Sequence, residues 1–142
     1  MIRIGILGNI GSGKSFISKL FDCPVFNADK EVNYIYKNNK NCFIKLKKKL
    51  PKYIKSFPIK KSELIKAVST NRKNIKIISS TIHPIVRKRM IEFLYKKRNS
   101  KIVVLDIPLL IENKLNKKGD VLIFVKANNS KNSDNNGFIQ NE

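Results

Sequence analysis

The chain has 142 residues, of which 42% are hydrophobic, and this is enough to bury the core of a single domain. No run of about 18 or more apolar residues occurs, which excludes a membrane-spanning helix. The start lacks the layout of a cleavable signal peptide, so we expect a soluble, cytoplasmic protein without a membrane partner. The two cysteines, Cys23 and Cys42, lack metal-ligand spacing and are expected to be free thiols.

The first predicted element is a strand in the β-branched, apolar run of residues 2–7. A second apolar segment, whose side chains have helical spacing, begins at Phe16. Between these segments, residues 8–15 read GNIGSGKS and fit G-x-x-x-x-G-K-[ST], the phosphate-binding loop of nucleoside triphosphate enzymes. The order strand, loop, helix is the context that this motif requires, so the sequence predicts a nucleotide site here.

The residue types of this loop suit a phosphate group. Glycines let backbone N–H groups turn inward around phosphate oxygens, and the following helix directs its positive end at the same charge. Lys14 would reach the β- and γ-phosphates of ATP, and Ser15 would place its hydroxyl on Mg²⁺. The alternative is a glycine-rich turn of purely structural value. The predicted ATP-binding residues are Gly8, Asn9, Ile10, Gly11, Ser12, Gly13, Lys14 and Ser15.

Next, Val25 and Phe26 indicate a short strand that starts at Pro24 and ends in the polar Asn27-Ala28-Asp29. Residues 30–98 are predicted to be mostly helical, with breaks at Pro51 and Pro58 and a loop at 37–41. Residues 74–84, NIKIISSTIHP, fit either a strand or a helix.

A further helix is predicted to open at Pro84. Val86, Met90, Phe93 and Leu94 follow with the spacing of one apolar stripe, and the basic residues around them lie off it.

Positive charge concentrates in the same region. The formal net charge is +20, and residues 37–101 hold 21 Lys or Arg against Glu63 and Glu92. Such a field attracts polyanions, but Lys, Ile and Asn together make 63 of the 142 residues, as a strongly AT-biased genome would produce. No aromatic-rich strand for stacking bases is visible. We interpret the charge first as a biased, solvated surface, second as attraction for a small anionic substrate, and last as nucleic-acid binding.

Two late segments, 101–110 and 120–127, are near-continuous apolar runs, as buried parallel strands are. Strands that alternate with helical segments predict an α/β fold with a parallel sheet and a site at the carboxyl ends of its strands. Residues 128–142 are polar and asparagine-rich and are expected to be a disordered tail.

Four stretches together resemble the dephospho-coenzyme A kinase family: GILGNIGSGKS, VFNAD, IHPIVRKRM and VVLDIPLLIEN. They occur in the family's order within residues 1–127. The loop alone would indicate only the P-loop superfamily, whereas HP..R followed by D.PLL.E is far more specific. The resemblance implies a P-loop kinase-type three-layer sandwich over 1–127, with a largely helical region for the acceptor substrate inserted at 30–100.

The resemblance also implies the reaction: ATP would phosphorylate the ribose 3'-hydroxyl of dephospho-coenzyme A, giving coenzyme A and ADP. Asp29 would orient or deprotonate that hydroxyl beside Lys14, and Asp106 would hold magnesium together with Ser15. The implied substrate-binding residues are His83, Arg87, Pro108, Leu109, Leu110 and Glu112.

Each of these residues also has a plainer explanation. Asp29 could cap a helix, Arg87 and Glu112 could be solvated surface charges, and His83 could pack or cap. Residues 108–110 could belong to the core.

The sequence departs from the family pattern after Lys126, where the arginine-bearing lid helix and the later helices of the family have no counterpart. We therefore expect retained nucleotide binding, reduced transfer and an uncovered face of the sheet. Two alternatives stay open: another small P-loop kinase for a nucleoside or nucleotide, or a non-catalytic remnant that binds nucleotide or nucleic acid.

Overall fold

A four-stranded, wholly parallel sheet organises the chain in the computed structural model, which describes residues 1–8, 12–107 and 117–126. In chain order the elements of this part are β1 (Ile2–Leu7), α1 (Lys14–Lys19), β2 (Val25–Asn27), α2 (Ala28–Asn38), α3 (Lys40–Lys49), α4 (Lys61–Thr70), α5 (Lys73–Lys96), β3 (Ile102–Asp106) and β4 (Val121–Phe124). The predicted order of strand, loop and helix at the start of the chain is confirmed.

The strand order is β2-β3-β1-β4, so β3 and β1 form the centre of the sheet. Asp106 at the end of β3 pairs in register with Asn27 on one side and with Ile6 on the other. Because all four strands run in the same direction, their carboxyl ends meet at one edge of the sheet. The loop that follows β1 leaves from that edge.

Helices pack on both faces of the sheet, mainly against β1, β2 and β3. On one face, α2–α5 bury a core that includes Phe26 of β2 and Leu105 of β3. On the other face, α1 packs Ile17 against Ile4 and Ile6 of β1. This arrangement confirms the predicted α/β fold of the P-loop kinase type, with the sheet between two helical layers.

The loop predicted at residues 37–41 is wrong. Helix α2 continues to Asn38, α3 begins at Lys40, and Asn39 alone separates them. The Asn39 side-chain oxygen accepts a hydrogen bond from the backbone N–H of Cys42 at 2.8 Å, so Asn39 caps α3. Polar residues that favour loops also favour helix caps, and here capping reduces the connection to one residue.

Pro84 does not open a helix, because it lies inside α5, and residues 74–84 are helical. The side chains of Ile78, Ile82, Val86 and Met90 are buried at a spacing of four residues, so one apolar stripe runs past the proline. Burial of this stripe offsets the backbone hydrogen bond that a proline removes from a helix. The apolar stripe predicted after residue 84 is confirmed. The helix breaks predicted near Pro51 and Pro58 are confirmed as well.

β4 is a strand as predicted, but it is not buried. It lies at the edge of the sheet, and Val121, Leu122 and Phe124 are exposed. Phe16 and Leu20 of α1 are exposed as well. Apolar composition identified the strand, whereas burial depends on whether another layer covers it.

A buried ion pair fixes the start of β4 to β1. Arg3 Nη2 lies 3.1 Å from Asp120 Oδ2, and these side chains are only 10% and 6% exposed. Asp120 also accepts a hydrogen bond from the backbone N–H of Lys117 at 2.8 Å. The pair therefore joins the turn before β4 to a central strand.

We expect Asp120→Ala to lower the free energy of unfolding by about 3–5 kcal/mol, because it removes the carboxylate that is paired with the buried Arg3 guanidinium. Denaturant unfolding measures this difference. Glu92→Ala, which removes an exposed carboxylate from α5, is the matched control and should change stability by less than about 0.5 kcal/mol. Equal losses in the two variants would contradict the prediction.

The buried Cys42 thiol and the partly buried Tyr36 phenol make stability depend on pH in the alkaline range. Burial raises the pKa of the Cys42 thiol to about 11 and that of the Tyr36 phenol to about 12. The folded protein therefore holds these protons at a pH where the unfolded chain has lost them. Their contribution to stability is complete below the unfolded pKa values and disappears as pH rises through the folded ones.

We expect the free energy of unfolding to fall with pH above 9, more steeply in the wild type than in Cys42→Ala. The two slopes should differ by about 1.4 kcal/mol per pH unit, the value for one proton. Urea unfolding at several pH values from neutral to 11 provides the comparison. Parallel curves would show that the Cys42 thiol ionises equally easily in both states.

Candidate active site

The candidate site lies at the edge of the sheet where β1, β2 and β3 end. Gly8 follows β1, Asn27 ends β2 and Asp106 ends β3. Neighbouring parallel strands lie about 4.8 Å apart, so these residues are brought together by the sheet itself. This is the edge at which open α/β sheets bind ligands.

The loop after β1 requires glycine at two described positions. Gly8 has φ 147°, and a Cβ built on it would lie 2.4 Å from the carbonyl oxygen of Val125. Gly13 has φ 90° and precedes α1 in the left-handed conformation. Asn9, Ile10, Gly11 and the side chain of Ser15 lie outside the part that the structure describes.

Polar groups of this loop face inward. Lys14 Nζ donates a hydrogen bond to the carbonyl of Gly8 at 2.7 Å, so the ammonium group lies over the loop. Ser12 Oγ is buried and has no hydrogen-bond partner among the described residues. A buried hydroxyl without a partner is costly, and a phosphate oxygen would supply the missing acceptor. The described residues of the loop therefore fit an anionic ligand.

Asp106 is 4% exposed and receives a hydrogen bond from a residue to which sequence analysis gave no role. The side-chain amide of Asn27 donates to Asp106 Oδ2 at 2.7 Å, and its oxygen accepts from the backbone N–H of Lys30 at 2.9 Å. Asn27 is thus the N-cap of α2. An asparagine between a strand and a helix is the signal that could have identified the cap.

Asp29 is the second residue of α2, and its side chain is exposed. It borders an open cavity of about 330 Å³ that Asn27, Ser18 and Lys19 also line. Glu31 borders the same cavity, but its carboxylate is bonded to Arg89. Asp29 therefore presents an exposed carboxylate at this cavity, whereas the Glu31 carboxylate is held by Arg89.

His83 and Arg87 lie one turn apart on α5, and both are exposed. They line a groove of about 460 Å³, and among the described residues none lines both this groove and the cavity beside Asp29. In this part of the chain the structure therefore groups the two predicted residues with each other. The remaining predicted residues, Pro108, Leu109, Leu110 and Glu112, lie outside the described residues.

A larger, mostly apolar cavity of about 600 Å³ lies within the helical region. Its walls come from α2, the segment before α4, α4 and α5, and they include Tyr36, Ile59, Leu64 and Ile78. Lys37 and Lys61 stand on its border. The cavity suits a ligand with an uncharged part and a nearby anionic group.

The Asp106 carboxylate is a suitable ligand for Mg²⁺. Among the described residues no group of three or more His, Cys, Asp or Glu is arranged to hold a metal ion. Mg²⁺ beside a nucleotide needs fewer protein ligands, because it retains water and takes one or two carboxylates together with phosphate oxygens. The buried Asp106 carboxylate beside the phosphate loop meets that requirement.

No helix in the described ranges is long and apolar enough to cross a membrane.

Comparison with known proteins identifies the family. The family model for dephospho-CoA kinase matches residues 2–134, which is nearly the whole chain. The chain belongs to the dephospho-CoA kinase family. The family resemblance predicted from the four sequence stretches is confirmed, and so is the P-loop kinase fold.

Similar proteins agree with this assignment. The chain is 36% identical to a dephospho-CoA kinase of the Wolbachia strain from Brugia malayi, over 89% of this chain and 68% of that protein. It is 32% identical to a dephospho-CoA kinase of Rhizobium etli, over 89% and 64%. The crystal structure of TT1252 from Thermus thermophilus superposes with a TM-score of 0.72 at 29% identity, over 88% and 65%. The chain thus spans about two thirds of the length of its relatives.

We expect Gly8→Ala to weaken ATP binding at least tenfold (about 1.4 kcal/mol), because its methyl group would collide with the Val125 carbonyl. Gly119→Ala is the matched control. Gly119 also has a positive φ, 95°, but no described residue other than its chain neighbours has an atom within 4 Å of the added Cβ. Calorimetric ATP titration compares the variants, and unchanged ATP affinity in Gly8→Ala would contradict the prediction.

Proposed function

We propose that the chain transfers the γ-phosphoryl group of ATP to the ribose 3'-hydroxyl of dephospho-coenzyme A, producing coenzyme A and ADP. The observation that carries the proposal is that the phosphate loop, Asp29 and Asp106 lie at or just beyond the carboxyl ends of three neighbouring strands, at one edge of the sheet. Family membership supports the same reaction.

On the donor side, the loop would bind the ATP phosphates. Lys14 would exchange its bond to the Gly8 carbonyl for β- and γ-phosphate oxygens, and the buried Ser12 hydroxyl would gain an acceptor. Asp106, with the hydroxyl of Ser15, would hold Mg²⁺. When bound, this ion offsets the negative charge of the phosphates.

On the acceptor side, Asp29 would accept the proton of the 3'-hydroxyl as that oxygen attacks the γ-phosphorus. A new oxygen–phosphorus bond forms while the bond between the γ-phosphorus and the β,γ-bridging oxygen breaks. ADP leaves with the electrons of that bond. Lys14 would stabilise the charge that develops on the transferred group. The exposed position of Asp29 at an open cavity supports this role.

The helical region at 30–100 would bind the rest of the acceptor. Its apolar cavity suits the uncharged pantetheine arm, and the lysines at the border suit the diphosphate. Arg87 would contribute a guanidinium group for anionic oxygens, with His83 beside it. Pro108, Leu109, Leu110 and Glu112 remain predicted contacts of the acceptor. The cytoplasmic location and the reduced rate expected from the sequence also remain predictions.

The experiment follows coenzyme A by mass and ADP by a coupled assay, with MgATP and with or without dephospho-coenzyme A. We expect Asp29→Asn to lower kcat by about 10²–10⁴, the usual contribution of a general base, with little change in ATP affinity. Lys14→Ala should lose ATP binding as well. Asp22→Asn is the matched control. Asp22 is an exposed carboxylate that follows the carboxyl end of α1, whereas the phosphate loop precedes the amino end of that helix.

The outcomes separate the proposed function from its alternatives. Phosphorylation of a nucleoside or nucleotide in place of dephospho-coenzyme A would identify another small P-loop kinase. ADP release without coenzyme A would show a working phosphate loop without transfer. Tight RNA or DNA binding that falls steeply with salt, without turnover, would favour the nucleic-acid alternative that the +20 charge suggests.

A further inference from the structure

One arginine of α5 is held by two side chains of α2. The Nε of Arg89 donates a hydrogen bond to Glu31 Oε2, and the two side chains form an ion pair. The Arg89 guanidinium also lies over the Tyr34 ring, with Cζ 4.4 Å from the ring centroid. Glu31 and Tyr34 are three positions apart on α2, so they are neighbours on its surface. The planar guanidinium can stack on the ring and donate to the carboxylate at the same time.

This ion pair lies beside the cavity at which the acceptor hydroxyl would meet Asp29. Among the described residues that border this cavity, Asp29 and Glu31 are acidic, and Lys19 and Lys30 are basic. The Asp29 side chain is exposed, whereas the Glu31 carboxylate is bonded to Arg89. With Glu31 compensated, the two lysines outweigh the one remaining carboxylate. A free Glu31 carboxylate would cancel that excess and repel an anion that enters the cavity.

We propose that Arg89 is a positioning residue for the acceptor substrate, because it binds the Glu31 carboxylate and keeps the border of the cavity beside Asp29 positive. This inference rests on the proposed function, in which the acceptor is an anion. Arg89 acts through Glu31 and has no part in bond making. Asp29 then meets the acceptor hydroxyl without a second free carboxylate from its own helix turn.

A purely structural ion pair would make its two members equivalent. Glu31→Gln and Arg89→Gln each remove the same bond between α2 and α5. They differ in what remains, because only Arg89→Gln leaves a free carboxylate at the cavity. The double variant, which carries both substitutions, loses the same bond but has no Glu31 charge. The comparison of these three variants therefore separates the proposed role from a structural one.

Arg98 provides a matched control for the loss of one positive charge. Its guanidinium lies over the Tyr95 ring, with Cζ 4.7 Å from the centroid, and donates to the Tyr95 backbone carbonyl at 3.2 Å. Arg98 is not among the described residues that border the cavity beside Asp29. Arg98→Gln therefore removes an equal charge and a similar ring contact away from the described border of the cavity.

We expect Arg89→Gln to raise the KM for dephospho-coenzyme A roughly two- to fivefold at low salt, the scale of one partly exposed charge. The value of kcat should change little, because Asp29 and the phosphate loop are unaltered. Glu31→Gln, the double variant and Arg98→Gln should keep the wild-type KM. The excess KM of Arg89→Gln over the double variant should vanish as salt rises toward about 1 M, which screens exposed charges.

Two results of this kinetic comparison would overturn the inference. One is an equal KM in Arg89→Gln and Glu31→Gln, which is the result of a purely structural pair. The other is an excess KM in Arg89→Gln that the double variant or added salt leaves unchanged. Both single variants should lose the same small amount of melting temperature, because the side chains of the pair are 33% and 26% exposed.

Carboxyl labelling distinguishes failure of this inference from failure of the proposed function, because it needs no turnover. A carbodiimide couples glycinamide to accessible carboxylates, and peptide mass spectrometry measures the rate at each residue. In wild type, Asp29 and the exposed Asp22 should react faster than Glu31. In Arg89→Gln, Glu31 should react about as fast as Asp29, while Asp22 is unchanged.

If wild type forms no coenzyme A, the proposed function fails, whereas the labelling rates and the calorimetric affinity for dephospho-coenzyme A still test the role of Arg89. Equal labelling of Glu31 in wild type and Arg89→Gln would overturn the inference in either case.

Discussion

The site depends on the parallel pairing of β3 with its two neighbours. β3 lies between β2 and β1, and its residues Val103, Val104 and Leu105 are fully buried. A strand buried on both faces cannot slide without exposing its apolar side chains, so its register is fixed. That register places Asp106 beside Asn27 and next to the strand that leads into the phosphate loop. The spacing of the chemical groups therefore follows from the packing of the core.

The edge strand β4 supports the phosphate loop although its own side chains are largely exposed. The Arg3–Asp120 ion pair holds the start of β4. Beyond its end, the N–H of Val125 donates to the carbonyl of Leu7 at 2.7 Å, and the Val125 carbonyl lies close against Gly8. This close approach is the physical reason for glycine at the first position of the motif. β4 is thus held at both ends, and its far end restricts the shape of the loop.

In the proposed reaction the helical region binds the acceptor, and the phosphate loop, which lies outside this region, binds ATP. α5 packs against α2, α3 and α4, and the stripe from Ile78 to Met90 holds these helices together. The apolar cavity and the groove at His83 and Arg87 both use residues of α5. α2 connects the two regions, because Asp29 lies in its first turn and Tyr36 lines the apolar cavity. In the proposed reaction, one helix therefore contacts both the reacting hydroxyl and the remainder of the acceptor.

The sequence by itself determined the phosphate-loop motif, the α/β class, the family and the four strands that the structure describes, because these depend on short motifs and local apolar patterns. It did not determine that Asn39 would cap a helix, that α5 would continue past Pro84, or that β4 would be exposed. Each of those outcomes depends on which distant surface a segment meets, and a local pattern contains no information about that surface. The hydrogen bond between Asn27 and Asp106 joins residues 79 positions apart, so only the tertiary structure could bring the amide to the carboxylate.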